Sequence, residues 1–436
     1  MSSRSRRIFI EWKKGSIVIE IRPLPHLNAT VVLPGSKSFT HRALIASALA
    51  EGESVLLHGL RSEDTDYTIK ALKKFGVPIS PEGDMLRVIG KAGRLEPKAE
   101  ELYVGNSGTS MRFLTALAAL KNGRTLLDGS DRMRRRPIAD LLNGLRPLGM
   151  KASFRDGNGC PPVIIESGGL RGGKTRIRAE ESSQFLSALL MVAPYAMEDV
   201  HVEITGRLTS RPYVDITCEV MSAFGVEVQS EGYRSFFVRA GQRYQPRQYR
   251  IGGDASQASY FFSAAAITKG RVRVERFPSG SSQGDTGFLN LLEKMGCRVF
   301  LGEGWAEVLG GKLHGIEVDM NEMPDVVPAL TVTAAFARGQ TLIQHIGHLR
   351  FKESDRIAAL TAELRRMGIG VEEGEDWLKI EGGKGHGAEI DPHGDHRIAM
   401  SFAIAGLVIP GIKIKEPHCV KKSFPDFWKV FEGLYR

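Results

Sequence analysis

Basic and small polar residues recur at the places where this sequence predicts helices to begin. The first is PGSKS from Pro34, with Lys37 and Ser38 at the predicted start and Arg42 one turn later. The free backbone N–H groups and the positive dipole end of a helix start attract anions, and the two cations add full charges. The segment is not a P-loop, because GxxxxGK followed by Ser or Thr is absent. It predicts an anion site, but an ordinary helix start with solvated basic residues explains this segment alone equally well.

A second predicted helix opens with a turn of small residues. Asn106, Gly108 and Thr109 lie at its start, and Arg112 follows one turn into the helix. Such a turn allows the backbone to approach a ligand closely, although small-residue turns before helices are common.

The densest basic run is RMRRRP from Arg132. A run of like charges is usually a solvated face. Arg136 differs from its neighbours, because Pro137 favours the first position of a helix and so predicts that Arg136 lies at the cap.

Serines open two predicted helices of one segment of the chain. Ser182, Ser183 and Gln184 begin a very apolar helix, and Ser210 with Tyr213 begins the next. Serine caps helices in any protein, so either start alone indicates a helix cap and not a functional site. Two such starts could converge on a phosphate, which neutral hydrogen-bond donors would orient without adding further charge.

Acidic residues occur beside cations in the second half of the chain. Lys352 and Arg356 are four residues apart, which predicts one face of an amphipathic helix, with Glu353 facing partly away. Asp325 follows a proline at a predicted helix start, where an Asp is usually a cap or a first-turn charge. In a cleft crowded with cations the same carboxylate can act as a general base. Lys422 again pairs a cation with a helix start.

The segment DPHGDHR from Asp391 allows two interpretations. His393 and His396 with the nearby carboxylates suggest a metal site, but Arg397 is adjacent and no second His/Cys cluster accompanies them. The favoured interpretation is that Asp395 caps a helix while His396 and Arg397 face a ligand.

The elements that position these residues form a sixfold repeat. A small-residue apolar helix recurs about every 70 residues, with starts at Pro34, Asn106, Ser182, Gly253, Pro324 and Gly394. An amphipathic helix follows each of the first five and ends in an apolar residue plus glycine, the usual left-handed C-cap, at Gly76, Gly149, Gly225, Gly296 and Gly368. Hairpin-like sequence comes next. Each unit therefore predicts strand, helix, strand, helix and two strands, and six units suit two α/β domains of three.

Composition narrows the classes of partner. The 436 residues are 42% hydrophobic and carry a net charge of +9. The basic residues are mostly scattered, which favours small acidic substrates over nucleic acid. The apolar stretch 398–412 is shorter than the ~20 residues of a membrane span, and the N-terminal apolar run 8–10 predicts no secretory signal. Four cysteines without a CxxC pair predict free thiols in a cytoplasmic protein.

With these motifs in their order, the chain resembles the 5-enolpyruvylshikimate-3-phosphate synthases, a family of enolpyruvyl transferases. The motifs are LPGSKSFTHRALIASALA, GNSGTSMRF, RMRRRPIADLL, SSQFLSALLMVAP, SRPYVDIT, KESDRI, GDHRIAMSF and KKSFPDF. The resemblance implies the two-domain enolpyruvyl transferase fold, an inside-out α/β barrel of six βαβαββ repeats. Residues 1–35 and 253–436 would form one domain and 36–252 the other, with the active site in the cleft between them.

The resemblance also implies a function and a set of site residues. The enzyme would join phosphoenolpyruvate to shikimate-3-phosphate as a monomer, with no metal or other cofactor. The residues assigned to shikimate-3-phosphate are Lys37, Ser38, Arg42, Ser182, Ser183, Gln184, Ser210, Tyr213, Asp325, His348 and Lys352. Those assigned to phosphoenolpyruvate are Lys37, Asn106, Gly108, Thr109, Arg136, Gln184, Arg356, His396, Arg397 and Lys422. Asp325, Glu353 and Lys37 are assigned to proton transfer.

The sequence departs from parts of this family and leaves three rival functions. His348 stands where many members have Asn, and Phe113 where one branch has Pro. Gly108 is present, which predicts sensitivity to glyphosate, a competitor of phosphoenolpyruvate in this family. The rivals are a UDP-N-acetylglucosamine enolpyruvyl transferase, whose first motif differs, a nucleic-acid-binding module, and a metal-dependent hydrolase at His393 and His396.

Overall fold

The computed structural model describes residues 8–13, 16–96 and 100–436. Residues 1–7 and 14–15, which include most of the basic N-terminal segment, and residues 97–99 lie outside that description. The chain forms two compact units: the described residues up to Pro34 join Gly253–Arg436 in one unit, and Gly35–Gly252 form the other. Each unit buries a hydrophobic core of its own.

The strands and helices are short and alternate along the chain. The strands are β1 (Ile8–Lys13), β2 (Ser16–Ile21), β3 (Asn28–Val32), β4 (Glu51–Leu57), β5 (Ile79–Glu82), β6 (Met85–Lys91), β7 (Glu101–Tyr103), β8 (Asn122–Asp128), β9 (Lys151–Phe154), β10 (Val163–Gly168), β11 (Gly173–Arg178), β12 (Val200–Thr205), β13 (Gln229–Glu231), β14 (Ser235–Val238), β15 (Gln248–Arg250), β16 (Arg271–Glu275), β17 (Arg298–Gly302), β18 (Trp305–Leu309), β19 (Glu317–Asp319), β20 (Gln340–Gln344), β21 (Gly370–Glu373), β22 (Leu378–Glu381), β23 (Glu389–Ile390) and β24 (Lys413–Lys415). The helices are α1 (Lys37–Leu49), α2 (Glu63–Lys74), α3 (Gly108–Ala118), α4 (Ala139–Leu145), α5 (Gln184–Val192), α6 (Pro212–Ala223), α7 (Ala255–Thr268), α8 (Phe288–Lys294), α9 (Val327–Ala334), α10 (Arg356–Arg366), α11 (His396–Ala405) and α12 (Phe427–Glu432).

This order confirms the predicted α/β class and the βαβαββ repeat. The first unit of the repeat is β3-α1-β4-α2-β5-β6, and four further copies follow in the same order. The first helix of each repeat is buried: in α1, every residue from Phe39 to Leu49 is buried. The glycines predicted to end the second helices all have positive φ, from 77° at Gly368 to 105° at Gly296, as a left-handed C-cap requires.

The described strands form six four-stranded sheets of one design. In each described sheet two strands pair in parallel and a hairpin adds two antiparallel strands, and in three sheets all four strands come from one repeat, as in β11-β12-β14-β13. Two sheets exchange their first strands, because β15 pairs with β4 while β3 pairs with β16. The strand that precedes α1 therefore belongs to the sheet of the fourth repeat, which fits a division of the chain near residues 34 and 252.

The sixth repeat is completed from the other end of the chain. It ends with α12 and lacks a hairpin of its own, and the antiparallel pair β1–β2 joins β24 and β23 in one sheet. A parallel pair alone would leave its edge without hydrogen-bond partners, so the N-terminal hairpin supplies the missing strands. Among the described residues no helix is long and apolar enough to cross a membrane.

Candidate active site

In the unit formed by Gly35–Gly252, Arg42 is a buried cation on α1. It is 1% exposed, and its guanidinium donates to the hydroxyl of Thr217 at 2.7 Å and to the carbonyls of Tyr213 at 2.9 Å and Ser38 at 3.0 Å. Among the described residues no carboxylate forms an ion pair with it. Burial lowers the pKa of this guanidinium to about 10. A desolvated cation whose partners are neutral is suited to an anionic ligand.

Lys37 is the first residue of α1 and has an acidic partner. Its Nζ lies 3.2 Å from Oδ2 of Asp64, a buried carboxylate in the first turn of α2. The sequence analysis did not identify Asp64, because an acid in the first turn of a helix is usually a dipole partner exposed to solvent.

The starts of α3 and α5 lie together. Nε2 of Gln184 donates to the hydroxyl of Thr109 at 3.0 Å. Nη1 of Arg136 donates to the carbonyl of Asn106 at 2.9 Å and to its side-chain oxygen at 3.2 Å. The structure therefore brings four of the residues predicted from separate motifs into one group.

Gly108 allows this arrangement because a side chain there has no room. A Cβ atom at Gly108 would lie 2.5 Å from Nη2 of Arg136 and 2.9 Å from Nη1 of Arg112. Arg112 in turn donates to the carbonyls of Gly108 at 3.2 Å and Pro137 at 2.9 Å. Arg112 therefore shapes the loop, while the close approach of Arg136 requires glycine.

The serines assigned to phosphate have different local settings. Ser182 Oγ accepts from the backbone N–H of Gln184 at 3.2 Å, and Ser183 is the N-cap residue of α5 without a side-chain cap bond. Ser210 is buried and has a φ of 53°. This left-handed conformation costs a non-glycine residue of order 1–3 kcal/mol and is typical of ligand-binding positions.

In the other unit, Asp325 lies between two buried arginines. Oδ1 accepts from Nη1 of Arg356 at 3.1 Å, and Oδ2 accepts from Nη2 of Arg397 at 2.6 Å. Asp325 lies in the first turn of the 3-10 segment Pro324–Val326, whose N-cap residue is Met323, so of its two predicted ordinary roles it has that of a first-turn charge and not that of the cap. The hydroxyl of Tyr260 on α7 also accepts a hydrogen bond from Nη1 of Arg397, at 3.2 Å. The side chain of Asp325 is 21% exposed, so it can reach a ligand.

Arg356 joins three carboxylates. It donates to Asp395 at 2.8 Å, to Glu353 at 2.7 Å and to Asp325 at 3.1 Å. Burial by itself lowers the pKa of this guanidinium, but the three carboxylates outweigh burial and raise its pKa above the ordinary value. Arg356 is thus held in the charged form and fixes the acids around it.

Replacement of Arg356 by methionine is therefore expected to destabilise the fold. Loss of one member of a buried ion pair costs about 3–5 kcal/mol, because the remaining charges are left in a medium of low dielectric. Urea unfolding at pH 7 measures the change. An unfolding free energy equal to that of the native protein would contradict the structural role given to this cluster.

Glu353 and Lys422 form the outer part of the same group. Nζ of Lys422 lies 3.9 Å from Oε1 of Glu353, and both side chains are less than 10% exposed. Glu353 thus contacts two cations, Arg356 at 2.7 Å and Lys422 at 3.9 Å. Lys422 ends the 3-10 segment Pro417–Lys422 and so precedes α12 by several residues.

Two predicted helix positions are wrong. Helix α10 begins at Arg356, not at Lys352, because Asp355 is its N-cap and accepts from the backbone N–H of Ala358 at 3.1 Å. Lys352 therefore lies before the helix, with extended backbone. Arg136 also has extended backbone and ends a 3-10 turn, while the residue that precedes α4 is Ile138.

The segment from Asp391 to Arg397 supports the capping interpretation. Asp395 is the N-cap of α11 and accepts from the backbone N–H of Arg397 at 2.9 Å. His396 is fully buried, whereas Nε2 of His393 lies 3.0 Å from Oε1 of Glu363. Over the described part of the chain, no group of three His, Cys, Asp or Glu side chains is arranged for a metal ion.

Two assigned residues lie in one short segment. His348 is buried within the 3-10 turn Gly347–Phe351, and Lys352 follows that turn, partly buried.

Sequence reasoning missed Thr217, Tyr260 and Asp285, which contact or neighbour the assigned arginines. For Asp285 the available signal was the QGD segment, which follows the fourth repeated helix and resembles the GD openings of the fourth and sixth.

Comparison with known proteins adds independent findings. The family model EPSP synthase (3-phosphoshikimate 1-carboxyvinyltransferase) matches residues 21–431. The chain is 47% identical over 415 residues to a 3-phosphoshikimate 1-carboxyvinyltransferase from Trichormus variabilis, which covers 94% of this chain and 97% of the relative. A protein of the same name from Methanoculleus marisnigri is 44% identical over 420 residues, covering 96% and 99%. Among solved structures, EPSP synthase from Acinetobacter baumannii is similar, with a TM-score of 0.80 at 30% identity, covering 96% of this chain and 98% of that one.

Proposed function

The chain belongs to the EPSP synthase family, and from this premise we propose that it transfers the enolpyruvyl group of phosphoenolpyruvate to the 5-hydroxyl of shikimate-3-phosphate. Phosphate is released, and the product enters chorismate and aromatic amino-acid biosynthesis. The observation that carries the proposal is the Asp325 carboxylate, held 3.1 Å from Arg356 and 2.6 Å from Arg397. A proton acceptor among buried cations suits a reaction between two multiply anionic substrates.

Shikimate-3-phosphate is bound by donors from both units. The proposed residues are Lys37, Ser38, Arg42, Ser182, Ser183, Gln184, Ser210, Tyr213, Asp325, His348 and Lys352. The buried guanidinium of Arg42, with neutral partners at 2.7–3.0 Å, supports this assignment because an anionic substrate would supply the missing counter-charge. The left-handed backbone of Ser210, with a φ of 53°, also supports this assignment, because strained conformations cluster at ligand-binding positions.

Phosphoenolpyruvate is bound by the remaining cations and the glycine loop. The proposed residues are Lys37, Asn106, Gly108, Thr109, Arg136, Gln184, Arg356, His396, Arg397 and Lys422. Support comes from the contact between Gln184 and Thr109 at 3.0 Å, which joins two helix starts, and from the space at Gly108 that Arg136 occupies. Glyphosate is expected to compete at this site.

The proposal requires both sets of residues to surround one pair of substrates, in a cleft between a domain of residues 36–252 and a domain of residues 1–35 and 253–436. The residues that each of the two units contributes are mainly cationic and polar side chains near the starts of buried helices, and the family match spans both units. Two like-charged sets are stabilised when anions lie between them.

The reaction proceeds by addition and elimination. Asp325 takes the proton of the 5-hydroxyl of shikimate-3-phosphate while that hydroxyl oxygen forms a bond to C2 of phosphoenolpyruvate. Glu353 or Lys37 delivers a proton to C3. In the elimination step, Glu353 or Lys37 takes a proton back from C3 of the tetrahedral adduct while the C2–O bond to phosphate breaks, which leaves an enol ether. The arginines and lysines stabilise the charged adduct by preorganised electrostatics.

The remaining parts of the proposal concern the state of the enzyme. It acts as a monomer in the cytoplasm, and the free thiols of its four cysteines suit a reducing compartment. The chemistry described above needs neither a metal nor a nucleotide, since side chains of this chain supply the proton transfers and the charge stabilisation.

The decisive test is the release of phosphate. Release is expected when both phosphoenolpyruvate and shikimate-3-phosphate are present, in EDTA as well as in buffer, and the enol ether should form in equal amount. Release from either substrate alone would indicate a hydrolase. Release with UDP-N-acetylglucosamine in place of shikimate-3-phosphate would indicate the other enolpyruvyl transferase, and either result would overturn the proposal.

A further inference from the structure

The segment between β23 and α11 contains His393, a residue that the proposed mechanism does not use. The sequence offered it as a metal ligand, but in the structure its Nε2 lies 3.0 Å from Oε1 of Glu363 on α10. Both residues belong to the unit that contains Asp325, Arg356 and Arg397. The contact therefore lies in the same unit as part of the proposed phosphoenolpyruvate site.

Glu363 is a completely buried carboxylate that holds this segment at two points. Its Oε1 faces the ring of His393, and its Oε2 accepts from the backbone N–H of Asp391 at 3.1 Å. Oε2 also accepts from Nε of Arg366, which follows one turn later on α10, at 3.0 Å. A buried carboxylate is stable only when it is hydrogen-bonded and paired with cations. A protonated imidazole beside Oε1 meets this requirement.

The backbone of the segment is strained where the ring makes this contact. His393 has a φ of 53° and Gly394 a φ of 68°, so two successive residues are left-handed. A non-glycine residue keeps such a conformation only where its surroundings fix it. Here Oδ1 of Asp391 accepts from the backbone N–H of His393 at 2.7 Å. The backbone N–H of Asp395 donates to the carbonyl of Pro392 at 2.8 Å, which turns the chain and brings Asp395 to the N-cap of α11.

Asp395 connects this segment with residues that the proposed function uses. Its Oδ2 accepts from Nε of Arg356 at 2.8 Å and from the hydroxyl of Ser354 at 3.2 Å. Its Oδ1 accepts from the backbone N–H of Arg397 at 2.9 Å. The residues before α11 are thus attached to α10 twice, through Asp395 at the first residue of α10 and through His393 near its last turn. Arg397 follows directly, so its position depends on both attachments.

We propose that His393 is a positioning residue: its protonated ring pairs with Glu363 and holds the start of α11 where Arg397 can bind the anion phosphoenolpyruvate. The inference rests on the proposed function, which assigns Arg397 to that substrate. A neutral ring still donates one hydrogen bond from Nε2, but it adds no positive charge beside the buried carboxylate. Positioning is therefore expected to weaken as the ring loses its proton.

The charges around the ring favour its protonated form. The hydrogen bond with Glu363 raises the pKa of His393 above its ordinary value of 6.5, and Asp391 raises it further. Burial and Arg366 lower the pKa in part. These charged groups come from α10 and from the segment itself. Because the folded-state pKa is raised, the stabilisation is complete below about pH 6.5 and is lost as the pH rises through the raised value.

The first test measures unfolding and does not depend on activity. The shorter amide of His393→Asn removes the charged contact with Glu363, while asparagine tolerates a positive φ. The Tm of the native enzyme minus that of the variant is expected to be about 2–4 °C larger at pH 6 than at pH 9, a shift usual for one moderate interaction in a domain of this size. The pH dependence of this difference should disappear in a Glu363→Gln background, where no carboxylate faces the ring.

The second test separates the two substrates. At pH 6 the KM for phosphoenolpyruvate is expected to be about tenfold higher in His393→Asn, because a displaced guanidinium loses part of a charge-assisted hydrogen bond. The KM for shikimate-3-phosphate should stay near the native value. The ratio of the two KM values for phosphoenolpyruvate, variant over native, should fall toward pH 9. In His393→Gln a longer amide can donate to Glu363, so this variant should restore most of the native KM at pH 9 and less of it at pH 6.

His345→Asn is the matched control, since His345 is a left-handed histidine of the same unit, with a φ of 59°. Its ring pairs with Asp319 at 2.8 Å, but the two side chains are 41% and 51% exposed, and exposed pairs contribute little. Its Tm and both KM values should stay near native at both pH values.

The inference is overturned if the Tm difference of His393→Asn is constant with pH. It is also overturned if the KM for phosphoenolpyruvate in that variant is native, or rises no more than the KM for shikimate-3-phosphate. If the native enzyme transfers no enolpyruvyl group, the proposed function fails and the role in binding fails with it. The Tm series still decides in that case whether His393 pairs with Glu363 as a cation.

Discussion

Asp325→Asn is expected to lower kcat by about 10²–10⁴-fold, the usual contribution of a general base. The amide cannot take the proton of the substrate hydroxyl, although its oxygen still accepts a hydrogen bond. The KM for phosphoenolpyruvate should stay the same or fall, because a negative charge is removed between Arg356 and Arg397. Steady-state kinetics with circular dichroism on the same sample measure both effects.

Asp355→Asn is the matched control for this prediction. Asp355 precedes Arg356, pairs with Arg350 at 2.9 Å and caps α10, and asparagine caps a helix about as well as aspartate. Its kcat should remain close to the native value. Native turnover in Asp325→Asn would remove Asp325 from the mechanism, and a loss of equal size in both variants would point to a structural effect.

Arg42→Met is expected to weaken the binding of shikimate-3-phosphate by about 10–150-fold, the equivalent of one charge-assisted hydrogen bond of about 1.5–3 kcal/mol. Stability should change much less than in Arg356→Met. The reason is that the hydrogen-bond acceptors of Arg42 are neutral oxygens, and burial lowers the pKa of its guanidinium to about 10. Removal of this cation therefore leaves no carboxylate without a partner. Titration calorimetry and urea unfolding measure the two effects.

The control for Arg42 is another buried cation of the same unit. Lys121 is 3% exposed and donates to the carbonyl of Arg124 at 2.8 Å, so Lys121→Met should leave the affinity for shikimate-3-phosphate unchanged. If Arg42→Met binds the substrate with native affinity, Arg42 is a structural residue. If it unfolds as readily as Arg356→Met, the difference drawn between the two arginines is wrong.

That difference reflects two uses of a buried guanidinium. Arg356 is compensated by three carboxylates and acts first as a structural centre. The charge of Arg42 is compensated by the dipoles of a hydroxyl and two carbonyl groups. These neutral groups cost less to desolvate than carboxylates but stabilise a full charge less well. A residue of the second kind gains more from an anionic ligand, and this makes Arg42 the more informative position for testing substrate binding.

Local patterns were sufficient for much of the fold. The composition of the small-residue helices is visible within a short segment, so α1 was predictable. The glycine that ends each amphipathic helix has a local backbone requirement, so the positive φ of Gly76 was predictable as well. The errors were also local. The helix predicted from Lys352 begins at Arg356, because the capping bond of Asp355 and the contacts of Arg356 outweigh the spacing of two charges.

The sequence by itself determined the repeat and the class of its elements, because these depend on residues within a few turns of one another. Tertiary structure alone decided the exchange of β3 and β15, the N-terminal hairpin that completes the sixth sheet, and the contacts of Asp325, Arg356 and Asp285. Pairing between distant strands depends on the packing of whole repeats, and the proton affinity of a carboxylate depends on which charges surround it after burial. Neither quantity is encoded in the spacing of residues along the chain.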